Sequence, residues 1–97
     1  MKSLKILGTD FSIRLADDLE MGTTDGEAHM AKSLIKVAKN EKQYMKRILW
    51  HEMMHIVLKM QGYSDLSNDE AFVERLATAI HQIINDNPDL YEEIGTD

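Results

Sequence analysis

The sequence predicts an α+β fold, a small antiparallel sheet of about three strands followed by two helices in a single domain. Three observations carry this reading. Apolar and polar residues partly alternate from Ser3 to Leu15 with an extended pattern resuming from Glu27 to Lys39, a helix-length apolar segment fills residues 40–61, and an amphipathic stripe of helical period runs through residues 68–86. An acidic tail, residues 87–97, follows.

Within the first part, Leu4-Lys5-Ile6 and Phe11-Ser12-Ile13-Arg14-Leu15 read as two short strands joined by a turn at Gly8-Thr9-Asp10. A first strand followed by one helical turn is the rival reading. Asp17 to Gly26 carries two glycines and four acids and reads as an exposed connection. Glu27 to Lys39 resumes an extended pattern, with strand material expected around Ser33 to Ala38.

Asn40, with Gln43 three residues on, forms a capping-box signal for the first long helix. Apolar residues surround that helix on nearly every side, which predicts a buried central position, and Gly62 suits its C-terminal end. Met45, Met53, Met54 and Met60 read as core filler. Gly62 to Asn68 reads as a loop, with Ser67 or Asn68 capping the second helix and Asp69 and Glu70 in its first turn. Val73, Leu76, Ala77, Ile80, Ile83 and Ile84 form its stripe, and Asn85-Asp86-Asn87-Pro88 ends it. The tail, with acids at Asp89, Glu92, Glu93 and Asp97, offers at most a short turn around Leu90, Tyr91 and Ile94.

Composition bounds the function. With 97 residues, 43% hydrophobic and 29% charged, the chain reads as an ordinary globular domain. The absence of cysteine excludes disulfides and thiolate metal sites and agrees with a reducing, cytoplasmic location. No apolar run approaches the roughly 20 residues of a membrane span, and no signal-peptide pattern opens the sequence. A net charge of −6 argues against direct nucleic-acid or acidic-lipid partners. The basic residues Lys32, Lys36, Lys39, Lys42, Lys46 and Arg47 are expected to solvate one face, with an acidic partner the minority reading.

The chemistry concentrates in His51-Glu52-Met53-Met54-His55, an H-E-x-x-H pattern within the first long helix. Residues i and i+4 project from one helical face about 5 to 6 Å apart, the disposition needed by two ligands of one zinc ion. Glu52 lies about 100° round the helix, placed to act as general base rather than as a ligand. A catalytic zinc takes three protein ligands and keeps a position open, so a third donor is required. The candidates are Glu70, Glu74, Asp69, His81 and His29. Glu70 lies about 80° from the centre of the second helix's stripe and Glu74 about 120°, which favours Glu70. Glu74 is the alternative, either as ligand or as the group that orients a histidine.

These features resemble the small phage- and mobile-element-borne zinc metallopeptidases of the ImmA/IrrE type, within the zincin group. The resemblance rests on the H-E-x-x-H residues, the apolar turn ending at Gly62, and Asp69-Glu70-Ala71-Phe72-Val73, and it covers residues 27–88. It implies a minimal zincin-like domain with His51, His55 and Glu70 as ligands and Glu52 as base. Better-known members cleave helix-turn-helix repressors or their partners; no DNA-binding or sensor domain is expected in this chain.

The first functional expectation is therefore zinc-dependent peptide hydrolysis of a protein or peptide substrate, with Zn2+ as cofactor. The substrate would pair along an edge strand near Ser33 to Ala38, and Tyr44, Tyr63 and His81 are the candidate oxyanion donors. The second is a non-catalytic, zinc-stabilised interaction protein, such as an antirepressor or phage accessory factor. Glu52 separates them, because a structural site needs no base. A third reading is an all-helical fragment whose H-E-x-x-H is accidental. Substrate identity and oligomeric state are not encoded in these patterns.

Overall fold

The alternation at the start of the chain becomes a hairpin. In the computed structural model, which describes residues 2–95, β1 (Lys2–Ile6) pairs antiparallel with β2 (Thr9–Ala16), Lys2 opposite Ile13 and Ile6 opposite Thr9. The turn lies one residue earlier than expected, at Leu7-Gly8, where both φ angles are positive at 48° and 85°. Two consecutive positive φ values suit the twist of a two-residue hairpin, and glycine supplies the second at no steric cost.

Asp17 to Gly26 is not merely a loop. It contains the short helix α1 (Asp18–Met21), and Met21 is buried at 4% exposure. Gly26 then opens a strand that the sequence pattern did not separate, β3 (Gly26–His29). A 3-10 turn, Met30–Lys32, and Ser33 in the left-handed region (φ 49°, ψ 49°) reverse the chain into β4 (Leu34–Ala38). One chain reversal, from Met30 to Ser33, lies within the stretch that reads as extended from Glu27 to Lys39.

The expected three-stranded antiparallel sheet is thus corrected to a four-stranded mixed one, in the order β1-β2-β4-β3. β4 runs parallel to β2, with Ser12 opposite Leu34 and Ala16 opposite Ala38, and antiparallel to β3. Its amides are occupied on both sides, since Ala38 N donates to Asp25 O and Lys39 N closes the ladder onto Ala16 O, each at 2.8 Å. β4 is therefore interior and cannot receive a substrate strand; the edges are β1 and β3.

α2 (Lys42–Met60) begins one residue later than the capping-box reading placed it. Glu41, not Asn40, is the N-cap, and its carboxylate accepts from the amides of Gln43 and Tyr44. Asn40 accepts from Glu41 N instead. The helix ends as its glycine predicts: Gly62 at φ 85° lets Tyr63 N donate to Leu58 O and Gly62 N to Lys59 O, a Schellman closure. The segment read as a loop after it holds a helical turn, α3 (Ser64–Ser67), before α4 (Glu70–Asp86). The cap of α4 is Asp69, accepting from Phe72 N at 3.1 Å, in place of Ser67 or Asn68.

α2 lies between the sheet and α4, which explains its nearly all-round apolar character. On one side Ile48 and Ile56 pack with Ile6, Phe11, Ile35 and Val37; on the other Met54 and Leu58 pack with Val73 and Ala77. Met53 and Val57 touch both clusters. The stripe of α4 outruns this core, leaving Ile83 and Ile84 exposed. Of the basic residues, Lys36 pairs with Glu20 and Arg47 with Glu74, while Lys32, Lys39, Lys42 and Lys46 are exposed. After Pro88 a turn leads into the short α5 (Glu92–Gly95); Asp97 lies outside the described residues. Among the described residues no helix is long and apolar enough to cross a membrane.

Candidate metal centre

One turn of α2 stacks His51 over His55, with ring centroids 4.9 Å apart and planes inclined at 67°. Their Nε2 atoms lie 3.2 Å from each other. The Schellman closure and α3 turn the chain back so that Glu70, the first residue of α4, faces both rings. Its Oε2 is 3.0 Å from His51 Nε2 and its Oε1 is 3.1 Å from His55 Nε2. Ligand atoms of all three residues lie within 4.8 Å of one another.

Two donors bound to one tetrahedral zinc at about 2.0–2.1 Å lie roughly 3.3 Å apart. The separations here are 3.0 to 3.2 Å, so the triangle of donors suits such an ion with little adjustment. The donor set, two imidazoles and one carboxylate, is also a chemically apt one for catalytic zinc.

The other ring nitrogens are held as well. His55 Nδ1 is 3.3 Å from Ser67 Oγ, and that hydroxyl donates to His55 O at 3.1 Å. Ser67 is 1% exposed, and it was read from the sequence only as a possible cap. A hydroxyl that donates to a carbonyl must accept at Nδ1, so His55 carries its proton there and leaves Nε2 a free lone pair. His51 Nδ1 is buried, with Glu74 Oε2 2.9 Å away but out of line with the ring N–H. Glu74 Oε1 meets the Arg47 guanidinium and accepts from Thr78 Oγ1 at 3.2 Å. Of the two glutamates, Glu70 faces the Nε2 atoms and Glu74 lies behind His51.

The remaining candidates are not brought to this group. Asp69 is committed to the helix cap, and His29 pairs with Glu27 at 2.9 Å on β3. His81 lines a separate hollow with Trp50, Leu49 and Pro88. Tyr63 is 54% exposed beyond the end of α2. The Tyr44 hydroxyl donates to Asp25 Oδ2 at 2.6 Å. That hydrogen bond raises the Tyr44 pKa above its usual 10.0, with lesser contributions from burial and the Asp25 charge.

Glu52 sits beneath the histidines at 8% exposure. Burial pushes its carboxyl up from 4.5 to about 7, with Glu70 and Glu27 adding to the rise and His51 and His29 opposing it. The backbone of β3 passes directly across it: a Cβ at Gly26 would stand 2.6 Å from Ile48 Cγ2 and 3.0 Å from Glu52 Oε2. Only glycine fits there, a role that the sequence did not reveal because Gly26 looked like the end of a loop. Thr24, Asp25 and Gly26 form one wall of a cleft of about 350 Å³, and His51, Glu52, His55, Glu70 and Glu74 form the other. No protein-family model, curated protein or solved structure matches this chain.

Proposed function

We propose that the chain is a zinc-dependent metallopeptidase in which His51, His55 and Glu70 hold the metal and Glu52 is the general base. The observation that carries this reading is the convergence of two Nε2 atoms and one carboxylate beside a buried second carboxylate, all lining one cleft. Bound zinc would supply Lewis-acid polarisation of the scissile carbonyl and acidify water to a pKa of about 7. Glu52, near neutrality in its proton affinity, takes a proton from the attacking water on a carboxylate oxygen and returns it to the leaving amine nitrogen. Ser67 keeps the His55 imidazole turned toward the third ligand, and the Glu74 carboxylate lies 2.9 Å from the far nitrogen of His51.

The substrate is an extended peptide added to the edge strand β3, not to β4 as the sequence pattern alone would have it. Asp25 O pairs with Ala38, so by antiparallel alternation the main-chain groups of Gly26 and Ala28 face outward. Pairing there carries a peptide past Glu52. The resemblance to ImmA/IrrE-type enzymes points to a regulatory, repressor-type protein as the substrate class.

The test is metal analysis together with cleavage of a mixed peptide library read by mass spectrometry. The expected result is about one zinc per chain and cleavage that chelator or Glu52→Gln abolishes; a zinc-free chain, or cleavage untouched by both, overturns the reading. A second reading, a zinc-stabilised interaction protein without catalysis, draws on the exposed Ile83, Ile84, Leu90 and Tyr91. Stoichiometric zinc with no cleavage by the wild-type chain would favour it.

A further inference from the structure

Tyr44, Arg47 and His51 lie three and then four residues apart on α2 and so share one side of the helix. Their contacts join into one chain across three segments. Asp25, immediately before the edge strand, accepts from the Tyr44 hydroxyl at 2.6 Å. The Arg47 guanidinium lies 5.0 Å from the centre of the Tyr44 ring, within cation–π range. The same guanidinium pairs with Glu74 Oε1, and Glu74 Oε2 lies 2.9 Å from His51 Nδ1.

We infer that Arg47 is a positioning residue of the candidate metal centre, holding Glu74 against the far nitrogen of His51. The inference rests on the proposed metal site and adds a residue that has no place in the H-E-x-x-H pattern. Its physical basis is geometric. Glu74 is part-exposed and reaches His51 from a different helix, so without a fixed partner its carboxylate would sample several rotamers. A guanidinium is planar, always charged and set against the Tyr44 face, and so holds the other carboxylate oxygen of Glu74 2.9 Å from Nδ1. A carboxylate charge 2.9 Å from Nδ1 favours the imidazole tautomer with its proton on that nitrogen and a free lone pair on Nε2, the atom facing Glu70 and His55.

The experiment is titration of the full chain with Co2+, reading affinity and the visible absorption spectrum, for wild type, Arg47→Met, Arg47→Lys and Glu74→Gln. Urea midpoints of the metal-free proteins show whether each variant folds. Arg47→Met is expected to weaken Co2+ binding about 10- to 100-fold and to alter the spectrum, with Arg47→Lys recovering part of the loss. Glu74→Gln should match Arg47→Met, and the double variant should lose no more than either, since all cut one link. Should Arg47→Met fail to fold, the Arg47→Lys and Glu74→Gln results decide the matter in the same way. Wild-type affinity and spectrum in Arg47→Met, or additive losses in the double variant, overturn the role of Arg47 while leaving the metal site standing. A wild-type chain that binds no Co2+ overturns both.

Discussion

Glu52→Gln in the metal-free chain separates a buried carboxyl from an ordinary surface one. Its folded-state pKa is about 7 against an ordinary 4.5, and the side chain belongs to a residue that is 8% exposed. The difference of about 2.5 units, at about 1.4 kcal/mol per unit, corresponds to roughly 3 kcal/mol of linkage between ionisation and folding. Because the folded value is raised, the native state binds more protons than the unfolded state between the two pKa values. The contribution of the neutral carboxyl is therefore fully present below about pH 4.5 and is lost as pH rises through 7. Glutamine cannot ionise, so the variant escapes that loss. Urea denaturation of both proteins in chelator, from pH 4 to pH 8, should show Glu52→Gln gaining on wild type by about 3 kcal/mol across this range. Comparing the two proteins at each pH reduces the contribution of the four histidines common to both. A stability difference independent of pH, or one that moves the other way, would refute the burial of Glu52.

Glu70→Gln should weaken zinc binding more than Glu74→Gln, whose own loss should be about 10- to 100-fold, as competition with a chromogenic chelator would show. The reverse order would make Glu74 the ligand. Gly26→Ala should destabilise the chain by about 1–3 kcal/mol through overpacking, and Ile48→Ala should relieve part of that cost in a double-mutant cycle; simple additivity would mean that β3 does not lie against α2 as described. Ile56→Ala, at a fully buried position between α2 and the sheet, should cost about 2–5 kcal/mol by thermal or urea unfolding. Ser67→Ala should lower zinc affinity as well as stability, whereas a purely structural serine would lower stability alone.

Much of the helical part was legible in the sequence because helical signals are local. The i, i+4 spacing places His51 and His55 on one face wherever the helix goes, and Gly62 and Pro88 mark where helices stop. Angular position on α4 was enough to prefer Glu70 over Glu74, and the structure puts Glu70 opposite both Nε2 atoms. Caps shifted by a residue or two, from Asn40 to Glu41 and from Ser67 or Asn68 to Asp69, because several adjacent side chains could satisfy the same amides. The strands were less legible. The parallel pairing of β2 with β4 joins residues 22 positions apart, from Ser12 to Leu34, and no local pattern reports such a register.

The sequence by itself determined the opening hairpin, the two long helices, the apolar wrapping of α2 and the juxtaposition of two imidazoles, since each follows from periodicity along one segment. Only the tertiary structure decided which strand became the edge, which hydroxyl and carboxylate back the two rings, and why Gly26 has no side chain. Those outcomes depend on segments meeting through space, where ladder hydrogen bonds and close packing, not neighbours in the chain, select the partner.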